Sequence, residues 1–174
     1  MEIKDSGERR EFETGAVRDI QEGKGRCDLL PLDVVAKYLL THEKGDLVLL
    51  AISTFIKTTD NDYLRVALDK FCKANDWDHP TLILEVAKHF EEGAKKYGEY
   101  NWQKGIPTHC YIDSAVRHYL KWLRGDEDEP HDRAFVWNIL CCIWTCEHKP
   151  ELNDYAKKNK EGTTDESNTN SADT

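Results

Sequence analysis

From Ala134 to Cys146 the chain reads AFVWNILCCIWTC. Wound at 3.6 residues per turn, that stretch is apolar in almost every direction, and a helix apolar all round is a buried one. The chain must therefore fold into a helical bundle that packs around this segment. One seam of it is polar: His131, Asn138 and Thr145 recur every seven residues. A buried amide without a hydrogen bond costs roughly 1–3 kcal/mol. Asn138 thus either braces a neighbouring helix or points into a polar cavity that holds a ligand. No stretch carries a strand signal of comparable strength, so the fold class expected is all-α.

The rest of the chain supplies the partners. Pro31 suits the first turn of a helix, and Val34, Val35, Tyr38 and Leu39 recur at helical spacing to about residue 43, where Gly45 marks a break. Helices follow over about 46–57 and 62–74, the latter with Leu64, Ala67, Leu68 and Phe71 on one side and Asp60-Asn61 as the turn before it. The next spans about 80–97, with Ile83, Val86, Ala87, Phe90, Ala94 and Tyr97 as its apolar face. On the other side Glu85, His89, Glu92 and Lys96 form one stripe, which is either a solvated face or the wall of a second interior such as a metal cleft or a subunit interface. A corner follows, KKYGEYNWQKGIP, crowded with basic, aromatic and amide groups. Thr108 is a plausible cap for a helix over about 109–124, in which Asp113 and Arg117 stand four apart and can simply pair. The acidic turn 125–130 precedes the apolar helix and complements its dipole.

At 174 residues the chain has the size of one domain. Residues 1–25 read as a flexible leader in which Gly23-Lys-Gly-Arg26 can fold over an anion, 26–148 as the helical catalytic domain, with 43–79 its least clearly marked segment, and 149–174 as a disordered tail too polar to order itself. No apolar run approaches the roughly 20 residues of a membrane span, and the charged N-terminus lacks a signal-peptide core. A net charge of -9 argues against nucleic-acid binding but leaves a nucleotide possible, because a divalent cation can bridge acidic side chains to phosphates. The six cysteines include no CxxC pair, and Cys142 and Cys146, four apart on one helix face, read as small apolar residues of a buried helix in a cytosolic protein.

Several groups around the corner have chemistry to offer. Glu85, Glu92 and Asp113, with Asp132 a poorer fourth, are candidate ligands for Mg2+ or Mn2+, since carboxylates on neighbouring helices of a bundle hold hard cations. Glu85 and Asp113 are also the candidate catalytic carboxylates. Lys24, Arg26, Lys96 and Arg117 can offset phosphate charge. Tyr97 and Trp102 can stack on a base, Asn101 can read its edge, and His118 and Asn138 complete the candidate nucleotide-binding set. Two rivals stand beside this. An HD-type phosphohydrolase would bind a transition metal through His118 and the His131-Asp132 pair. A non-catalytic helical phage protein would bind a partner through its apolar, tryptophan-rich surfaces.

Gly15-Ala-Val-Arg-Asp, Gly23-Lys-Gly-Arg-Cys-Asp-Leu-Leu-Pro31, Gly93-Ala-Lys-Lys-Tyr97, Asn101-Trp102, Asp113…Arg117-His118, Trp122, Gly125-Asp126 and His131…Asn138 occur in this order. The set resembles the phage-associated family of dATP/dGTP diphosphohydrolase N-terminal domains, which is grouped with the MazG-like all-α NTP pyrophosphohydrolases, over about residues 14–40 and 80–146. The resemblance implies a MazG-like helical bundle, metal-dependent cleavage of a purine deoxynucleoside triphosphate to monophosphate and pyrophosphate, and a homo-oligomer in the cytoplasm, that of the host if the chain is phage-encoded. The broader superfamily holds magnesium with an ExxE and a later ExxD. In this chain the helix over 80–97 has no clean ExxE, and Glu129…Asp132 has the ExxD spacing but lies far downstream of Glu85.

Overall fold

A computed structural model describes residues 7–20, 25–38 and 43–159. Among the described residues the main helices are α1 (Leu32–Tyr38), α2 (Glu43–Thr58), α3 (Asp62–Ala74), α4 (His79–Tyr97), α5 (Thr108–Arg124) and α6 (His131–His148), with a short helical run at 154–159. Short 3-10 turns lie at Cys27–Leu29, Asn101–Lys104 and Pro150–Leu152. As its composition requires, α6 is the central element, packed against α5, α4 and α3, while α2 pairs with α1 and α3. Ala134, Phe135, Val136, Ile139, Cys141 and Cys142 are all buried. All six cysteines are free. No helix among the described residues is long and apolar enough to cross a membrane.

Local chemistry sets the helix ends. The Asp78 carboxylate accepts the Thr81 N–H (2.7 Å) and Pro80 fills the first turn of α4, so that helix starts where its free donors are met. Glycines at positive φ close α4 (Gly98, +88°) and α5 (Gly125, +82°). Gly45, expected as a break, lies in the first turn of α2, where a glycine interrupts few intrahelical bonds.

Two segments differ from the sequence expectation. Within the leader, residues 9–19 form an antiparallel hairpin, β1 (Arg9–Glu11) against β2 (Val17–Asp19), with Arg10 opposite Arg18. Strands of three residues are too short to show alternation, and this hairpin is secured by contacts to distant helices. The start of the expected tail is also packed. Tyr155 is buried edge-on against Phe55 (6.0 Å between ring centres), and Leu152 lies so close to Gly105 (φ +97°) that a Cβ there would meet its Cδ1 at 2.5 Å. On α4, Ile83 and Ala87 are exposed although expected on the buried face, because only its Val86–Phe90–Ala94 side meets the core and the cavity.

Thr108 does not cap α5 with its own side chain. It donates instead to Asp154 (2.6 Å), whose carboxylate also accepts the His109 N–H (3.1 Å) and binds the His109 ring. The tail thus supplies the carboxylate that the positive end of α5 favours. The bonds to Asp154 and to Cys110 raise His109 to about 9. Burial alone would raise Asp154, but the bonds from His109 and Thr108 bring it down to about 2. A histidine raised above its ordinary 6.5 adds stability below that pH and loses it as pH rises through about 9. A carboxylate lowered from 3.8 adds stability above that pH and loses it as pH falls through about 2. The tie is therefore strongest between about pH 4 and 6.5. Thermal melts should show Tm falling on the alkaline side, with a shallower slope in Asp154→Asn; parallel slopes would mean that the tie adds nothing.

Candidate functional site

The hairpin, α4, the corner after it, α5 and α6 enclose a cavity of about 1170 Å³. The hairpin is fastened over it by three groups. The Asp19 carboxylate accepts from Arg9 (3.1 Å), Lys96 (2.8 Å) and the Tyr97 hydroxyl (2.8 Å). The Asn101 side chain pairs with the Val17 backbone as a strand would, accepting its N–H and donating to its carbonyl, both at 2.9 Å. Arg18 crosses to the bundle, donating to the Cys110 carbonyl (3.1 Å), the Ser114 hydroxyl (3.1 Å) and the Asn138 amide oxygen (2.8 Å). The buried Asn138 in turn donates to the Ala134 carbonyl at 2.8 Å. Asn138, the middle residue of the polar seam of α6, is thus satisfied by an arginine of the hairpin at the cavity wall.

On α5, the Asp113 carboxylate is buried and holds both the Arg117 guanidinium and the Cys27 N–H (2.6 Å). Arg117 lines the cavity, and its buried Nε has no hydrogen-bond partner among the described residues. Aromatic rings complete the wall: Trp137, Tyr97, Phe90 and Trp102, the last packed between Phe90 (5.5 Å) and Trp144 (5.0 Å).

One end of the cavity carries a cluster of histidines and carboxylates. His118 Nδ1 lies 3.0 Å from His131 Nδ1. Glu129 Oε1 is 3.7 Å from the first nitrogen and 3.6 Å from the second. Asp128 meets the other nitrogen of His131, Nε2, at 2.7 Å. Lys121 approaches Asp128 (3.3 Å) and Glu129 (3.8 Å). Burial, the His131 ring and the Arg117 charge hold His118 well below the usual imidazole range. His89 is a further cavity residue: burial and the charges of Arg133 and Arg18 bring it to about 3, and its Nδ1 has no hydrogen-bond partner among the described residues. Both rings are therefore neutral near pH 7.

The residues expected from sequence divide accordingly. Tyr97, Asn101, Trp102, Asp113, Arg117, His118 and Asn138 line the cavity. Of these, Asn101 is committed to the hairpin through both amide atoms and has little left with which to read a base edge. Lys96 is spent on Asp19, and Arg26 forms a two-point pair with Asp28 (2.6 and 2.5 Å) away from the cavity lining. Lys24 lies outside the described residues. The proposed carboxylate quartet is split. Glu85, Glu92 and Asp132 line a separate groove with Lys88 and Arg133, whereas Asp113 belongs to the main cavity. Glu92 accepts both bonds of the Arg133 fork (2.7 and 2.9 Å), and Glu85 pairs with Lys88. These four do not fit a shared hard-cation centre. The HD-type pairing also separates: His131 joins His118, but Asp132 accepts from the Arg133 N–H and lines the other groove. Arg18, Glu129 and His89 were missed as site residues. Arg18 sat within a recognised motif, and the stripe that contained His89 does face an interior at that position.

Fold and site define an all-helical protein with an internal cavity, whose arginines and aromatic rings suit a small molecule carrying both negative charge and a ring. The family model described as dATP/dGTP diphosphohydrolase, N-terminal, matches residues 60–155, more than half of the chain. The chain belongs to that family. The matched segment contains the corner, α5 and α6; the hairpin precedes it. No curated protein and no solved structure matches the chain.

Proposed function

We propose that the protein hydrolyses a purine deoxynucleoside triphosphate, dATP or dGTP, between the α and β phosphates, taking up one water and releasing monophosphate and pyrophosphate. The observation that carries this reading is the cavity itself, where the guanidinium groups of Arg18 and Arg117 share a wall with Trp137 and Tyr97, largely inside the segment that matches the family. The cations offset triphosphate charge, and the rings offer a face to the base. Ser114 adds a hydroxyl to the same cavity lining. A divalent cation, expected as Mg2+ or Mn2+, would supply further charge neutralisation and lower the pKa of a bound water.

A second reading is favoured by the His118–His131 contact: a histidine-held metal directing attack at the α phosphate with release of triphosphate. The two separate cleanly by product. Incubation with each dNTP and Mg2+ or Mn2+, followed by chromatography, should yield monophosphate and pyrophosphate with a purine preference. Inorganic triphosphate and nucleoside would favour the second reading, and no turnover of any nucleotide with any divalent metal would overturn both.

A further inference from the structure

We infer that His118, Glu129 and His131 form a binding site for one transition-metal dication of the Mn2+, Co2+ or Zn2+ class. The catalytic meaning of such an ion rests on the nucleotide hydrolase reading; its binding does not.

The geometry is that of a ligand set around a point. Metal bonds of about 2.0–2.1 Å in tetrahedral arrangement put neighbouring ligand atoms about 3.3 Å apart. The three separations in the cluster are 3.0, 3.6 and 3.7 Å. The contacts to Glu129 are too long to be hydrogen bonds, so proton sharing does not explain why the carboxylate turns towards both rings. The tautomer is also prepared. Asp128 at 2.7 Å from His131 Nε2 keeps the proton on that nitrogen, which directs the Nδ1 lone pair at His118 and Glu129. A carboxylate behind a ligating imidazole is the arrangement that orients such ligands in metal sites generally.

Softness and surroundings narrow the ion. Two imidazoles with one carboxylate suit borderline metals, whereas Mg2+ prefers oxygen ligands and retained waters. His131 is almost wholly buried, with side-chain exposure of 1%, against 16% for His118 and 14% for Glu129. His118 and Glu129 line the cavity, so remaining coordination positions open onto the side where a phosphate oxygen or water can enter. Lys121 lies 3.8 Å from Glu129 as a competing cation, but Asp128 holds it more closely at 3.3 Å.

The test uses the full chain, stripped with chelator and titrated with Co2+ in the absence of nucleotide, read by calorimetry and by visible d–d absorption. One equivalent should bind, with spectra of nitrogen and oxygen ligation and no displacement by equimolar Mg2+. His118→Gln and Glu129→Gln, each at a partly exposed position and checked for fold by circular dichroism, should weaken binding ~10-fold or more. Glu92→Gln, in the other groove, should bind as the wild type does. Absence of Co2+ uptake, thiolate charge-transfer bands placing the ion on cysteines, or full affinity in both site variants would overturn the assignment. Because no turnover is measured, a protein inactive on dNTPs would leave a positive result standing.

Discussion

Replacing Arg117 with alanine should lower kcat/KM for the preferred purine triphosphate by ~10²–10³, the loss typical of one preorganised charged donor at a reacting phosphate. The expectation follows from its position. Arg117 lies in the cavity wall and is oriented by the buried Asp113. Asp113 itself keeps the Cys27 N–H in the variant, which preserves the link between α5 and the turn before α1. Arg117→Lys should recover part of the loss, since it restores the charge but not the planar guanidinium. Steady-state kinetics on folded variants decide the matter, and an unchanged kcat and KM in Arg117→Ala would remove this residue from the site.

The largest effect on stability is expected at Phe71. Its ring is fully buried and lies 4.5 Å from Phe135, 4.9 Å from Trp122 and 6.1 Å from Tyr119, ring centre to ring centre. One side chain of α3 thereby joins α5 and α6, the helices that carry His118 and His131. Phe71→Ala should cost about 3–5 kcal/mol in urea unfolding, through lost burial and the cavity left behind. Phe71→Leu, which keeps more of the volume, should cost markedly less. Because the same ring buttresses both histidine-bearing helices, metal affinity should weaken in Phe71→Ala under conditions where the protein remains folded. A cost below about 1 kcal/mol would mean that α3 is not part of the core that positions the site.

Much of the bundle was legible because helices announce themselves locally. The extents of α3, α4 and α5 match expectation to within one residue, since Asp78, Pro80, Gly98 and Gly125 act on their immediate neighbours. The site was legible in part. Arg117, His118 and Asn138, named from sequence because polar groups on apolar helices stand out, do line the cavity. The separation of Glu85, Glu92 and Asp132 from Asp113 was not legible, because carboxylate spacing along one helix does not say which helix it will face: Glu92 meets Arg133, 41 positions away. The hairpin and the packed start of the tail left no periodic signal at all.

The sequence by itself determined an all-α bundle around α6, since apolar periodicity fixes which elements must be covered. Only the tertiary structure decided what the polar residues do. Arg18 reaches Asn138 across 120 positions, and Asp154 reaches Thr108 across 46. The contact of His118 with His131 depends on how the turn between α5 and α6 returns the chain. Each is a short-range bond whose partner is chosen by packing, and packing is a property of the assembled helices rather than of any window along the chain.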